Sequence, residues 1–375
     1  MKKRNGGIIK TPGAAIFSAA SVVGRKEHDG PLGVRFDLYD TGDRFGCKTW
    51  EMAESEMQRM ALSLVMERAG LTDGRIGALF AGDLLNQCVG SAYGLLDFDI
   101  PYFGLYGACS TAAEGMALAA MAVSGGFVQY AGAVTSSHNA AAERQYRTPL
   151  EYGGQRPPTA QWTVTGAGAF IIGRAAPPEA DVADTANIAA TAAMANIADI
   201  MPGIVIEHGI TDTANMGAAM APAAADTLQR YFAASGRAPE SFDLILTGDL
   251  GFEGHSILCE LLEVAGVGHE CLKSFDDCGR LIYDRATQDV HSGGSGCGCS
   301  AVVMASHILP QMATGELCDI LFVGTGAMMS PSSTKQGQPI PAVAHLLHLT
   351  SPKNDDHGDA CRVCRVQNVG SGAQK

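Results

Sequence analysis

The sequence predicts an α/β protein of five layers, α-β-α-β-α, built from two diverged copies of one unit. Three observations lead to this prediction: strands alternate with helices, a strand-turn-helix pattern occurs twice, and two helices are apolar nearly all round. Alternating strands and helices imply mostly parallel sheets with right-handed crossovers. A helix that is apolar on every side belongs in the interior of a protein. A chain of 375 residues has room for two such units.

The repeat appears at matched landmarks in the two halves. An apolar strand runs into Gly-Asp-Leu at 76–84, and a second strand runs into the same triplet at 242–250. The turn Gly-Ala-Cys-Ser at 107–110 precedes one apolar helix, and Gly-Cys-Gly-Cys-Ser at 296–300 precedes the other. A further strand follows each helix, and the second copy carries extra residues around 268–292. Landmarks repeated in one order indicate an internal duplication.

The duplication sets the expected domain boundaries. We expect one half at 11–185 and the other at 186–349. The apolar helices at 111–123 and 301–309 would lie between the two sheets, one from each half. Beyond 349 the sequence becomes polar and rich in Gly, Ser and Gln, so 350–375 is expected to be a loose tail.

Composition narrows the class of protein. The chain is 46% hydrophobic and 17% charged, with 46 glycines and a formal net charge of -13, and no Lys/Arg-rich run stands out. Nucleic acid is therefore not an expected partner. Eleven cysteines without regular spacing do not indicate a disulfide framework, so a reducing, intracellular compartment is expected. The sequence shows neither a transmembrane span nor a secretory leader.

Cys109 is the candidate centre of a functional site. It lies between an apolar segment at 102–108 and the first turn of the first apolar helix. The amide groups and dipole at a helix N-terminus favour the thiolate, which is the reactive form of cysteine. The alternative is a small buried residue without chemistry, because free cysteine is often found in cores. In both interpretations Cys109 marks the floor of a pocket.

Several long motifs resemble a known superfamily. The turn Gly-Ala-Cys-Ser-Thr and the strand Thr-Gly-Ala-Gly-Ala, together with the duplication, resemble the thiolase and ketoacyl synthase superfamily. A narrower resemblance, to the stage V sporulation protein AD family, spans residues 11 to 348. It rests on the motifs at 30–33, 81–87, 135–139, 143–147, 219–226 and 293–300.

This resemblance implies a thiolase-like fold that binds dipicolinic acid and helps to load it into the developing spore. It also implies partners, namely the other proteins of the spore dipicolinate uptake system, and peripheral association with the inner spore membrane through them. Thiolase-like subunits form homodimers, and we expect pairing through the strand at 130–135. No cofactor is expected, although calcium could arrive with dipicolinate.

A condensing acyltransferase would need partners for Cys109, usually two further polar groups, that activate the thiol and stabilise an oxyanion. The resemblance places one of them where this chain has Asp249, and a carboxylate donates a hydrogen bond only when protonated. His255 follows it, and His138 follows the strand after the Cys109 helix. The segment 293–298, which includes Gly296, offers only Gly, Ser and Cys, and its turn could donate backbone amides. The sequence therefore favours ligand binding over catalysis, with an adaptor role that binds no ligand as a third hypothesis.

A dipicolinate pocket needs donors for two carboxylates and a flat surface for the ring. Arg144 and Arg147 are three residues apart, on one side of a helical turn, and are candidate ligands; the alternative is solvated surface charge. If calcium accompanies the ligand, Asp83 and Asp249 could complete its oxygen shell. The alternative for both aspartates is to cap the helices that follow them.

Overall fold

The computed structural model describes residues 7–146, 156–175 and 192–354. The strands are β1 Ile9–Lys10, β2 Ala14–Gly24, β3 Leu38–Asp40, β4 Ala78–Gly82, β5 Tyr102–Leu105, β6 Tyr130–Ser137, β7 Trp162–Thr163, β8 Gly166–Arg174, β9 Ala195–Met201, β10 Leu244–Thr247, β11 Phe275–Asp277, β12 Gly294–Ser295, β13 Asp319–Ala327 and β14 Ala342–Thr350. The α-helices are α1 Arg25–His28, α2 Trp50–Ala69, α3 Val89–Gly94, α4 Thr111–Ser124, α5 Asn139–Tyr146, α6 Met216–Ser235, α7 Gly251–Val264, α8 Cys278–Leu281, α9 Cys297–Val303, α10 Leu309–Thr314 and α11 Pro331–Lys335. A π-helical turn, Met304–Ile308, joins α9 to α10.

The strand order demonstrates the predicted duplication. The first half runs β2-β8-β6-β4-β5 and the second runs β9-β14-β13-β10-β11, with the same sequence of antiparallel and parallel pairings. The two five-stranded sheets are joined where β2 pairs with β9, at Ala15 with Asn196 and Ile16 with Ala195. The predicted boundary at 185/186 lies outside the described residues, as does the tail from 355 onward.

Two expectations about the sheets are wrong. Each sheet is mixed rather than mostly parallel, because β8 and β14 run antiparallel to both of their neighbours, and antiparallel neighbours need no helical crossover. The strand at 130–135 was expected to be an edge strand that forms the dimer contact. It is part of β6, which lies between β4 and β8 and is paired on both sides. The edge strand of the first half is β5, which precedes the Cys109 helix and, among the described strands, pairs with β4 alone.

The two central helices, α4 and α9, lie in the middle layer. The helix α4 packs on β4 and β6 of the first sheet and on β13 and β14 of the second, while α2 and α6 cover the outer faces. Glycine permits the close crossings of central helix and sheet. A β-carbon at Gly168 would lie 2.6 Å from that of Ala301, and one at Gly324 would lie 2.4 Å from that of Ala113. The first contact joins β8 to α9 and the second joins β13 to α4, and together they explain the small residues of the strand and helix motifs.

Glu27 ties the first half to the extra residues of the second. Its fully buried carboxylate accepts hydrogen bonds from the Tyr283 hydroxyl and from the Thr165 amide, at 3.0 Å for the latter. Burial raises the pKa of Glu27 to about 7. The hydrogen bonds from Tyr283 and Thr165 lower this pKa, but burial has the larger effect. The loop after α8 is thereby fixed against the first sheet, beside the end of β7. Within the described ranges, none of the helices has the length and apolar character that crossing a bilayer requires.

Candidate functional site

Cys109 is held in a tight turn between β5 and α4. The Thr111 hydroxyl accepts a hydrogen bond from the Gly107 amide at 3.0 Å and donates one to the Ala108 carbonyl at 2.7 Å. The Ser110 hydroxyl donates a hydrogen bond to the Gly107 carbonyl at 2.7 Å. Ala108 has a φ of 50°, in the left-handed region that non-glycine residues rarely adopt. Strain of this kind persists where the surrounding structure enforces it. The turn therefore gives Cys109 one fixed position.

A cavity of about 260 Å³ opens above Cys109. Its wall combines apolar side chains with a few polar groups from both halves, contributed by Leu84, Ala108, Cys109, Ala142, Glu143, Tyr146, Pro157, Ala160, Gln161, Thr163, Thr213, Ala214, Met216, Ser295, Ala327 and Met329. Among the described residues Glu143 is the one charged side chain in this wall. A concave, mainly apolar site with few polar groups is typical of small-molecule binding.

The buried carboxylate of Asp249 lies beside the thiol. One oxygen accepts from the Gly296 amide at 2.8 Å and the Ser295 hydroxyl at 3.1 Å, and the other accepts from the Thr325 hydroxyl at 2.8 Å. The Cys109 sulfur is 3.9 Å from the Ser295 oxygen, and the thiol and the Asp249 carboxylate are close enough to shift each other's pKa. Asp249 is thus held by the N-terminal end of α9 and by β13.

These contacts keep the thiol neutral. Burial, followed by the negative charge of Asp249, raises the pKa of Cys109 well above its ordinary value. The expectation that the N-terminus of α4 favours a thiolate is therefore wrong, because desolvation and a neighbouring carboxylate outweigh the helix dipole. Burial also raises the pKa of Asp249. The raised pKa of Cys109 therefore keeps the proton on its sulfur.

Neither candidate histidine lines the cavity. The His138 ring nitrogen Nε2 lies 2.8 Å from the Asp43 carbonyl, and the ring packs against Trp50. His255 contacts Cys259 within α7, at 3.6 Å between Nε2 and sulfur. Burial, with the charge of Arg280 as a smaller cause, lowers the pKa of His255 to about 4. Both candidate imidazoles for a condensing reaction are therefore engaged elsewhere.

Arg144 also lies outside the cavity wall. Its guanidinium pairs with the Glu51 carboxylate from α2, above a separate surface depression. This position does not agree with the expected role of Arg144 in binding the ligand, because its guanidinium is paired with a carboxylate of α2. Arg147 falls outside the described residues. Of the flat side chains near these arginines, Tyr146 lines the cavity, and its hydroxyl donates to the Leu84 carbonyl at 2.7 Å.

The two equivalent aspartates have different surroundings. Asp83 accepts from the Leu85 amide at 2.8 Å and from the amide and hydroxyl of Ser91 at 2.7 and 2.6 Å. It therefore organises the loop before α3 and is absent from the cavity wall, so a shared calcium shell with Asp249 does not match this geometry. Gly296 has a φ of 103°, which directs its amide at Asp249. Within the described ranges, no three Asp, Glu, His or Cys side chains are grouped to hold a metal.

Sequence reasoning did not single out three polar groups of the site. Ser295 and Thr325 bind Asp249, and Gln161 donates to the carbonyls of Asp249 and Gly294 at 2.7 and 2.8 Å. The signal for Thr325 was present, since it follows the repeated strand just as Thr135 does in the first half. Gln161 carried no such signal, because it reaches the site from a loop.

Comparisons with known proteins agree with this architecture. The model of the Stage V sporulation protein AD family matches residues 8–350. Stage V sporulation protein AD of Bacillus subtilis (strain 168) is 44% identical over 332 residues, which cover 88% of this chain and 92% of the relative.

Solved structures show the same fold at low identity. OleA of Xanthomonas campestris with cerulenin bound is 13% identical with a TM-score of 0.55, over 90% of this chain and 100% of that one. The tetronic acid condensing enzyme AbyA1 is 16% identical with a TM-score of 0.54, over 90% and 99% of the two chains. The fold is therefore that of thiolase-like condensing enzymes.

The Asp249–Cys109 contact predicts how the thiol reacts. In Asp249→Asn the negative charge is removed, so the pKa of Cys109 falls and its alkylation by iodoacetamide at pH 8 becomes faster by up to about tenfold. Mass spectrometry that resolves individual cysteines measures the rate against pH. Asp83→Asn, at the equivalent position of the first half, is the matched control and leaves the rate unchanged. Equal rates for Cys109 in wild type and Asp249→Asn would contradict the assignment.

Proposed function

The chain belongs to the stage V sporulation protein AD family, and on that basis we propose that it binds dipicolinate above Cys109 and helps to take it into the developing spore. The observation that carries this proposal is the neutral Cys109 thiol beside the Asp249 carboxylate, at the floor of an intact cavity. The site keeps the enclosure of a condensing enzyme, and the described part of its wall contains no imidazole to activate the thiol. Binding without turnover follows from that combination.

The size and lining of the cavity support a small planar ligand. Drug-sized ligands occupy pockets of about 300–1,000 Å³, and this cavity of about 260 Å³ suits a single ring with two short substituents. Tyr146, Met216 and Met329 supply apolar and aromatic surface for the ring. The hydroxyl of Thr163, which lines the cavity, supplies a hydrogen-bond donor for a carboxylate.

The charges around the cavity favour the calcium chelate over the free dianion. Asp249 lies at the floor and Glu143 in the wall, and both repel a ligand with two negative charges. In the chelate the calcium ion neutralises both ligand carboxylates. It also needs six to eight oxygen ligands, some of which the dipicolinate does not supply. In this proposal the metal arrives with the ligand, and the carboxylate of Glu143 attracts it.

The proposal includes assembly with other proteins of the uptake system, through which the chain would associate with the inner spore membrane. It also includes a homodimer, formed by antiparallel pairing of β5 with its copy. Phe103 and Tyr102 on this edge strand are 53% and 39% exposed. An exposed apolar edge strand is a template for pairing with another strand, and a two-fold axis would join the two first-half sheets.

Binding is tested by calorimetry with dipicolinate, with and without calcium. We expect one saturable site, and Thr163→Ala weakens it by about 1–3 kcal/mol because a ligand carboxylate loses a hydrogen-bond donor. Glu143→Gln strengthens binding of the free dianion relative to the chelate. Arg144→Ala, outside the cavity, and Cys109→Ala, which removes only the thiol, are controls that keep most of the affinity. No saturable binding of either form would support the adaptor role instead.

Self-association is tested by light scattering at micromolar concentration. Wild type is expected to be a dimer, and Phe103→Lys a monomer, since a lysine on an edge strand opposes pairing. The control is Phe127→Lys, because Phe127 lies outside β5 and its side chain is 84% exposed. We expect this variant to remain a dimer. Circular dichroism checks that both variants fold. A monomeric wild type, or a dimeric Phe103→Lys, would contradict pairing through β5.

A further inference from the structure

Three cationic or donor side chains converge on one exposed residue, Asp289, beside the cavity. The Arg156 guanidinium lies 2.9 Å from the Asp289 carboxylate, and the His291 ring lies 3.0 Å from its other oxygen. The Lys26 ammonium donates to the Asp289 backbone carbonyl at 3.0 Å, and Arg156 donates to the same oxygen at 3.0 Å. Lys26 comes from the first half and Asp289 from the second, so the cluster spans the two halves.

Trp162 fixes the positions of the two cations. The Lys26 ammonium lies 3.7 Å from the centre of the indole, and the Arg156 guanidinium carbon lies 4.7 Å from it. Cations held over an aromatic face have a defined position at low entropic cost. Trp162 stands between Gln161 and Thr163, which both line the Cys109 cavity. The cations therefore lie next to the cavity wall.

The negative partner of these cations is the least restrained member of the cluster. The Asp289 side chain is 73% exposed, whereas that of Arg156 is 13% exposed. An exposed ion pair contributes little to stability. The nitrogen Nη1 of Arg156 is buried and has no hydrogen-bond partner among the described residues. Burial, and then the charge of Arg156, lowers the pKa of Lys26, which indicates two cations facing a single carboxylate.

The cluster borders a surface depression of about 500 Å³. Its wall is formed by Pro158, Arg285, Ala286, Thr287, Gln288, Asp289, Val290 and His291. The His291 nitrogen Nδ1 lies 2.9 Å from the Pro157 carbonyl, and Pro157 itself lines the Cys109 cavity. The adjacent residues Pro157 and Pro158 therefore separate the outer depression from the inner cavity.

We propose that Lys26, Arg156 and His291 form an outer binding site for planar carboxylate anions, in which an incoming carboxylate replaces that of Asp289. The site rests on the proposed function in one respect, since it would hold dipicolinate before the molecule enters the cavity. Guanidinium and ammonium groups held in fixed positions bind carboxylates well. Because the chain carries a net charge of -13, a local cationic site would also guide anions to the mouth of the cavity.

Trp162 provides the measurement. The chain has two tryptophans, so Trp50→Phe leaves Trp162 as the reporter. Benzene-1,3-dicarboxylate is the probe, because it places two carboxylates on one ring and lacks the ring nitrogen with which dipicolinate chelates calcium. We expect a saturable change in Trp162 emission, with affinity at least tenfold weaker in Arg156→Gln and in Lys26→Gln. Asp289→Asn, which removes the competing carboxylate, binds several-fold tighter.

The control is Arg25→Gln, which removes a neighbouring exposed arginine whose partner is Asp29, and it leaves the affinity unchanged. Unchanged affinity in both Arg156→Gln and Lys26→Gln would overturn the outer site. An equal response to inorganic phosphate at the same ionic strength would also overturn it, since the site would then be a general counter-ion site. If Arg156→Gln does not fold, Lys26→Gln and the exposed Asp289→Asn decide the question. Absence of dipicolinate binding in calorimetry contradicts the inner site alone, because the benzene-1,3-dicarboxylate response is read separately.

Discussion

The chemistry of the cavity depends on the buried carboxylate of Asp249. Three donors from α9, β12 and β13 hold it against the Cys109 thiol. Burial, and then the negative charge of this carboxylate, raises the pKa of the cysteine, where a neighbouring imidazole would lower it. The residue type at this position therefore decides whether the thiol is held neutral or activated as a nucleophile.

The duplicated fold explains why this contact exists. Equivalent turns precede α4 and α9, and both helices lie in the layer between the two sheets. Cys109 comes from the first turn and the Asp249 ligand Gly296 from the second. The close glycine contacts at Gly168 and Gly324 allow the helices to approach the sheets. The cavity and the cationic cluster beside it both use residues from the two halves, so each depends on how the halves pack.

The sequence alone predicted what local pattern and repetition encode. The duplication, the central helices and the position of Cys109 before the first of them were all readable from motifs. It could not predict the order of strands, and β6 was placed at an edge although β4 and β8 enclose it. Nor could it predict partners that are distant in the sequence. Arg144 pairs with Glu51 of α2, and the His138 ring contacts the backbone carbonyl of Asp43. The thiolate expectation failed because burial depends on the whole fold rather than on the helix that follows Cys109.

Two environments therefore lie side by side, a neutral thiol in an enclosed apolar cavity and a cationic cluster at its border. We propose that the first takes the uncharged calcium chelate and that the second takes a carboxylate anion. The most direct test of the central claim is mass spectrometry of Cys109 after prolonged incubation of the wild-type protein with acetyl-coenzyme A. A thiol paired with Asp249, without an imidazole in the described cavity wall, forms no acetyl adduct. A stable acetyl group on Cys109 would contradict the account and indicate a working acyltransferase.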